Sequence, residues 1–236
     1  MWDYYGYKPR KKTKPKNPAD QIAKLRKKNP DIRPVVIDGK LAGTWWAQAW
    51  NRNLESYADY SNRIGRGRSY VRSGAVLDLA IMPGEVQALV QGSRAKPYNI
   101  SVKIEPLQKQ RWREITQRCS RKIANLEELA SGKFPTELMK LFTNKGDGLF
   151  PSPKEIEFNC SCPDWASMCK HVAAVLYGIG ARLDEDPTLF FRLRDIEFAE
   201  LLKKSVEEKM NNMLKNAGKA TTRTMTDVDT LDLFGV

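Results

Sequence analysis

The sequence predicts an α+β fold, with a small antiparallel sheet, several helices and a metal-stabilised finger. Three observations lead to this prediction. Short segments near the middle of the chain alternate apolar and polar residues, as half-buried strands do. Longer segments carry apolar residues three and four positions apart, as amphipathic helices do. Three of the four cysteines and the single histidine fall within twelve residues, a pattern typical of a metal site.

Four segments are predicted to form strands. Residues 70–80 and 86–92 flank the sequence MPGE at positions 82–85, whose proline and glycine are typical of a turn, so they form a hairpin. Residues 98–104 alternate apolar and polar side chains and supply a third strand. A short strand at 154–159 leads into the cysteine cluster.

The first predicted core helix covers residues 44–58, whose large apolar side chains form a stripe. The stripe consists of Trp46, Trp50, Leu54 and Tyr57. We interpret it as a helix face packed on the core rather than as a base-stacking surface. Further helices are predicted over residues 108–122, 126–131, 136–143 and 170–183, in a short segment after Pro187, and over 195–215.

Composition divides the chain into four regions. Residues 1–34 are rich in proline and basic residues, a composition that opposes a packed core, and are predicted to be a disordered basic arm with one short helix before Asn29. The other regions are an α+β domain over 35–145, the finger with its flanking helices over 146–215, and a mobile tail over 216–236.

No apolar run approaches the roughly 18 residues of a membrane helix, and the first residues lack the apolar stretch of a signal peptide. We therefore expect a cytoplasmic protein without a membrane partner, associated with the nucleoid if its source is bacterial. Four cysteines in a reducing compartment indicate metal ligands or buried thiols rather than disulfides.

The formal net charge of +12 favours polyanions such as DNA, because neutralised phosphates release their counterions. Residues 1–40 hold 12 basic and 4 acidic residues. Residues 62–72 interleave arginines with glycines, so we expect a flexible basic loop. Alternatively, both segments are merely solvated. The candidate nucleic-acid-binding residues are Lys11, Lys12, Lys14, Lys27, Lys28, Arg63, Arg66, Arg68 and Arg72.

The metal motif is C-x-C-x6-C-x-H, formed by Cys160, Cys162, Cys169 and His171. Cysteines two positions apart on an extended strand share a face, so the first two can bind one ion together. Residues two positions apart on a helix do not share a face, so Cys169 is expected just before a helix and His171 in its first turn. Four such ligands complete a tetrahedron, which predicts one structural Zn²⁺ with no position open to water.

Two alternatives to zinc are buried thiols and a nucleophile–base pair of Cys169 with His171. Trp165 and Met168, in the loop between the cysteine pairs, are expected to shield the metal. Cys119 has no partner nearby in sequence and is predicted to be a core thiol. The acidic residues 184–186 are expected to cap the helix after Pro187.

The ligand spacing, with a strand before it and an apolar helix after it, resembles the SWIM zinc finger. The wider chain also resembles bacterial SWIM zinc-finger proteins, through its Trp-rich segment at 44–50 and the hairpin at 82–85. The resemblance implies a strand–strand–helix finger that serves DNA binding or protein interaction. It also implies that the partner is often a Swi/Snf-type helicase.

The chain ends in the sequence LDLFGV, preceded by Asp229 and Thr230. Leu-Asp-Leu-Phe resembles the peptide with which bacterial proteins bind the DNA sliding clamp, although Thr230 replaces the usual glutamine. The candidate partner-binding residues are Leu231, Leu233 and Phe234. Alternatively, these side chains pack back on the domain.

The function expected from the sequence is that of a zinc-binding, nucleic-acid-associated adaptor, with DNA as the expected partner. The sequence offers no separate carboxylate pair, phosphate loop or Ser–His arrangement, so we expect neither an enzyme nor a small-molecule substrate. The alternative is a protein-interaction subunit of a Swi/Snf-type helicase or replication complex.

Overall fold

The computed structural model describes residues 17–56, 61–120, 138–144 and 148–217. The fold is α+β with a four-stranded antiparallel sheet, as predicted. The helices are α1 (Pro18–Arg26), α2 (Trp45–Glu55), α3 (Ser61–Arg72), α4 (Lys109–Ser120), α5 (Met139–Thr143), α6 (Lys170–Glu185), α7 (Leu189–Leu193) and α8 (Phe198–Asn216). The strands are β1 (Val76–Met82), β2 (Glu85–Val90), β3 (Tyr98–Ile104) and β4 (Ile156–Cys160).

The sheet is a meander in the order β1-β2-β3-β4, so each strand pairs with the next one along the chain. The side chains of β3 alternate strictly: Tyr98, Ile100, Val102 and Ile104 are buried, while the residues between them face outward. Strand β4 pairs with β3 so that Cys160 lies opposite Ile100. This register puts the first cysteine of the motif on the buried face of the sheet.

Helix α6 packs on that buried face and occupies the centre of the molecule, with twelve of its sixteen residues buried. Helix α2 packs beside it through Trp50, which is almost fully buried and donates its indole N–H to the Leu176 carbonyl at 2.9 Å. The predicted aromatic stripe is therefore a core face for Trp50 and Leu54, with Trp46 packed at its edge. Tyr57 lies outside the described residues.

One prediction is wrong: residues 62–72 form most of helix α3 rather than a flexible loop, and strand β1 begins only at Val76. Ile64 and Val71 are buried at helical spacing. Gly67 lies where α3 crosses α6, and a Cβ atom there would stand 2.5 Å from the Ala173 Cβ. The glycine therefore permits close helix packing, although in sequence it reads as a loop signal.

The remaining elements agree with the sequence in type and nearly in position. Part of the segment predicted to be a disordered arm is folded, because α1 spans Pro18–Arg26 and Ile32 is buried. The helix predicted at 126–131 and the tail beyond 217 lie outside the described residues. One hydrophobic cluster draws on both sides of the predicted boundary at 145/146. Among the described helices, none is long and apolar enough to cross a membrane.

Candidate metal centre

Two rigid elements carry the four residues of the motif. Cys160 ends strand β4, and the Ser161 N–H donates to the Asn99 carbonyl at 3.0 Å, which fixes the chain as it leaves the sheet. Cys162 follows directly after Ser161, two positions beyond Cys160. On the other side of the loop, Cys169 is the N-cap of α6 and His171 lies in its first turn, as predicted.

The four ligand atoms converge on one point. The Cys160, Cys162 and Cys169 sulfurs and one His171 ring nitrogen all lie within 4.8 Å of one another. The His171 Nδ1 is 3.8 Å from the Cys169 Sγ and 4.0 Å from the Cys160 Sγ. Sulfur and nitrogen ligands on a zinc tetrahedron lie about 3.5–3.8 Å apart, so the group can hold one metal ion.

Aromatic rings fix the orientation of the His171 imidazole. The Tyr98 ring lies 4.6 Å and the Tyr70 ring 5.3 Å from the imidazole, between ring centroids. A Cβ atom at Gly92 would lie 2.9 Å from the His171 Nε2, so only glycine fits behind the ring. The Nε2 is buried without a hydrogen-bond partner, whereas Nδ1 faces the sulfurs, which makes Nδ1 the ligand atom.

The three cysteines lie so close together that each affects the pKa of the others. Hydrogen bonding with Cys169 raises the pKa of Cys160, and burial raises the pKa of Cys162. The same bond with Cys160 lowers the pKa of Cys169, and the backbone N–H groups at the start of α6 lower it further. Three thiolates cannot lie this close without a positive charge between them, so the donor set fits a divalent cation.

Of the two loop residues that were expected to shield the metal, Met168 is partly buried against the core and Trp165 is exposed. Met168 packs against the core, as expected of a shielding residue. Trp165 does not shield the metal, because 81% of its surface is exposed. The neighbouring Asp164 forms an ion pair at 2.6 Å with Arg63, and both side chains are largely buried. This pair ties the loop to the start of α3.

The candidate arginines fall on two sides of α3. Arg63 pairs with Asp164, and Arg68 pairs with Glu55 at 2.6 Å while donating to the Tyr177 hydroxyl at 2.8 Å. Arg66 and Arg72 are exposed. Lys27 and Lys28 are exposed just after α1. The remaining predicted contacts lie outside the described residues: Lys11, Lys12, Lys14, Leu231, Leu233 and Phe234.

A basic cavity of about 420 Å³ lies beside α3 and was not predicted from the sequence. We call it the basic basin; four cations line it, namely Lys40, Arg52, Arg68 and Arg72. Glu55 is the one carboxylate in the lining, and it is engaged by Arg68 and Tyr177. Residues so far apart in sequence form no local motif, which is why the basin escaped prediction.

Two smaller predictions are settled by the fold. Cys119 is completely buried, as expected of a core thiol. Asp186 caps the turn after α6 by accepting from the Thr188 N–H at 2.9 Å. Asp184 instead accepts from the Gly43 and Thr44 N–H groups at 2.6 and 2.8 Å, so it holds the start of α2.

Comparison with known proteins gives one informative similarity. The chain is 38% identical over 172 residues to the uncharacterized protein Rv2102 of Mycobacterium tuberculosis. The match covers 72% of this chain but 62% of the relative, so it spans less than two thirds of the relative's length. No protein-family model matches the chain. No solved structure matches it significantly.

Proposed function

We propose that the protein is a nucleic-acid-binding adaptor, with DNA as its partner, built around one structural Zn²⁺ held by Cys160, Cys162, Cys169 and His171. The observation that carries the proposal is the surface of α3, a basic helix packed directly on the metal-bearing helix. The resemblance of the ligand spacing to the SWIM zinc finger supports the same function.

The outer face of α3 suits contact with phosphates. Its exposed residues include Gly65, Arg66, Ser69 and Arg72, and the exposed Ser73 follows directly after the helix. Small side chains let a polyanion approach the helix closely, while Arg66 and Arg72 supply charge. The basic basin extends this surface, since Lys40, Arg52 and Arg72 form no ion pair with any described residue. A net positive lining of this kind attracts phosphates without reading sequence.

Zinc has a structural role in this proposal. The Cys3His donor set fills a tetrahedron, whereas a catalytic zinc keeps a position for water. Three thiolates around Zn²⁺ leave one net negative charge, which Lys170 and the positive end of α6 offset. The site therefore holds β4 and α6 together rather than activating a substrate, and we propose no enzymatic activity.

A salt-dependent binding series tests the proposal. Affinity for single-stranded DNA, duplex DNA and RNA should fall steeply as salt is added. Arg72→Gln and Arg52→Gln should each weaken binding and reduce the slope of log affinity against log salt by about 1. Lys103→Gln, on the outer face of β3, is the matched control and should change neither quantity. Negligible affinity at low salt would overturn the proposal.

A second candidate function is that of a protein-interaction subunit, and the end of α8 favours it. Val206, Met210, Met213 and Leu214 recur at helical spacing and are about half to three-quarters exposed. Such a stripe is typical of a helix that docks in a partner's groove. A Swi/Snf-type helicase is the partner that the resemblance suggests, and the sliding clamp is the one suggested by residues 231–234.

The two functions can be separated with purified components. Met210→Asp with Met213→Asp should abolish helicase binding and leave DNA affinity unchanged if α8 is the docking element. Deletion of residues 230–236 should abolish clamp binding if the terminal peptide is used. If neither variant alters binding to its partner, this second function fails.

A further inference from the structure

We propose that Trp165 is a stacking platform for an unpaired base, which makes single-stranded nucleic acid the preferred ligand of this protein. The inference rests on the proposed nucleic-acid function and deepens it. The observation behind it is that the Trp165 indole is 81% exposed. Its loop begins and ends at two residues of the metal cluster, Cys162 and Cys169. The flat apolar face of an exposed indole is a surface on which a base can stack.

The loop that carries Trp165 is held at three points. Cys162 and Cys169 belong to the metal cluster at its two ends. Between them, Asp164 pairs with Arg63 at 2.6 Å, with only 13% and 19% of the two side chains exposed. Asp164 also accepts from the Ala166 N–H at 3.4 Å. Trp165 thus projects from a fixed backbone, which lowers the entropy lost when a base stacks on it.

The charges around Trp165 suit a nucleic-acid strand. Asp164, the residue before Trp165, has its charge neutralised by Arg63. Arg66 lies one helical turn further along α3 and is exposed. Lys170 begins α6, with its ammonium 5.9 Å from the centre of the Tyr70 ring. A strand whose base stacks on Trp165 can therefore place its following phosphates along α3, toward the basic basin.

Unpaired bases fit this platform better than a duplex does. In duplex DNA both faces of each base are already stacked, so an indole on the protein surface gains little from it. An unpaired base has a free face, and stacking of aromatic side chains on such bases is a common source of affinity for single strands. The cations of α3 attract either form, so Trp165 is the element that distinguishes them.

The test compares Trp165→Ala and Trp165→Phe with the unaltered full-length, zinc-loaded protein. The probes are a single-stranded DNA of about 16 nucleotides and the duplex of the same sequence. Trp165→Ala should weaken single-strand binding about tenfold or more and change duplex binding less than about twofold. Trp165→Phe should retain most of the affinity. The salt slope should stay unchanged, because no phosphate contact is lost.

Arg66→Gln is the matched control, and it should weaken both probes and reduce the salt slope by about 1. Zinc content must equal one per chain in every variant. Equal losses for single strand and duplex, or no loss after Trp165→Ala, would overturn the inference and leave the proposed function standing. The second result would point to a protein partner at Trp165. Absence of all nucleic-acid binding by the unaltered protein would remove the proposed function itself.

Discussion

At the scale of single residues, the metal cluster depends on three cysteine sulfurs and one histidine nitrogen. Two of the three cysteines also reach the cluster from a constrained backbone position: Cys160 at the end of β4 and Cys169 at the N-cap of α6. Glycine at position 92 leaves room for the His171 ring. Loss of one ligand therefore cannot be compensated by a neighbour.

Cys162→Ser should release the metal and unfold the region around it. Structural zinc contributes on the order of 10 kcal/mol to the folding of such sites, and a serine hydroxyl is a poor ligand for it. Elemental analysis of the purified variant, together with circular dichroism, measures both effects.

Cys119→Ala is the matched control, because it removes a buried thiol that lies outside the cluster. It should keep one zinc per chain and lose about 1 kcal/mol of stability. If Cys162→Ser keeps its metal and its fold, the ligand assignment is wrong.

The cluster is also the part of the site that the sequence predicted best. Its ligands lie close together along the chain, so their spacing alone placed Cys169 before a helix and His171 inside it. The expectation that Trp165 shields the metal is wrong, because the sequence does not show toward which side the loop turns this side chain. Only the direction of the loop, set by the Arg63–Asp164 pair, distinguishes the two.

At the scale of elements, the contact between α3 and α6 positions the basic surface against the metal-bearing helix. Gly67 lies at the crossing, where a methyl group would stand 2.5 Å from the Ala173 Cβ and 3.0 Å from the Ala173 carbonyl carbon. Gly65, two residues earlier, faces open space. A side chain at Gly67 would therefore clash with α6, whereas a side chain at Gly65 would meet no neighbour.

Gly67→Ala should lower the free energy of unfolding by about 1–3 kcal/mol, because the helices must separate to admit the methyl group. Gly65→Ala, as its control, should raise the free energy of unfolding by about 0.5–1 kcal/mol, since alanine favours the helix and meets no neighbour. Denaturant unfolding of both variants provides the measurement. A neutral Gly67→Ala would show that the crossing is looser than described.

Helix α3 also shows why the prediction of a flexible loop over residues 62–72 was wrong. Two glycines within a run of arginines are typical of a loop, and local propensity contains no information about a partner helix. Burial of Ile64 and Val71 against α6 outweighs the cost of glycine in a helix. Strands β2, β3 and β4, by contrast, were predicted to within two residues at each end, because period-two alternation follows directly from one buried face. Strand β1 was predicted to begin six residues too early, within what is the end of α3.

At the scale of the whole molecule, an ion pair between Glu155 and Arg194 joins the segment before β4 to the segment after α7. The Arg194 Nη2 lies 2.6 Å from the Glu155 Oε1, and only 1% of the Arg194 side chain is exposed. The Ser152 N–H donates to the other Glu155 oxygen at 2.8 Å. Burial alone raises the pKa of Glu155, but hydrogen bonds from Arg194 and Ser152 outweigh it and lower the pKa.

A carboxyl whose pKa is lowered by folding stabilises the protein above its unfolded pKa and loses that contribution as the pH falls through the folded value. Glu155→Gln should therefore cost about 3 kcal/mol at pH 7, because it leaves the Arg194 charge buried without its partner. The difference between variant and unaltered protein should shrink below about pH 4.

Comparison of the two proteins at each pH removes the contribution of zinc release, which acid causes in both. Glu157→Gln, on the exposed side of β4, is the matched control and should stay within about 0.5 kcal/mol throughout. Stability is measured by urea unfolding at a series of pH values. A penalty for Glu155→Gln that is constant down to the lowest pH would contradict this role of the ion pair.

The metal motif is built into the sheet rather than attached beside it. Its strand is hydrogen-bonded to β3, and its helix is enclosed by α2, α3 and the other strands. The segment from β4 to α6 therefore packs mainly against apolar side chains from the rest of the chain. Loss of a metal bound by these four residues would accordingly destabilise the whole fold, and not only the segment from β4 to α6.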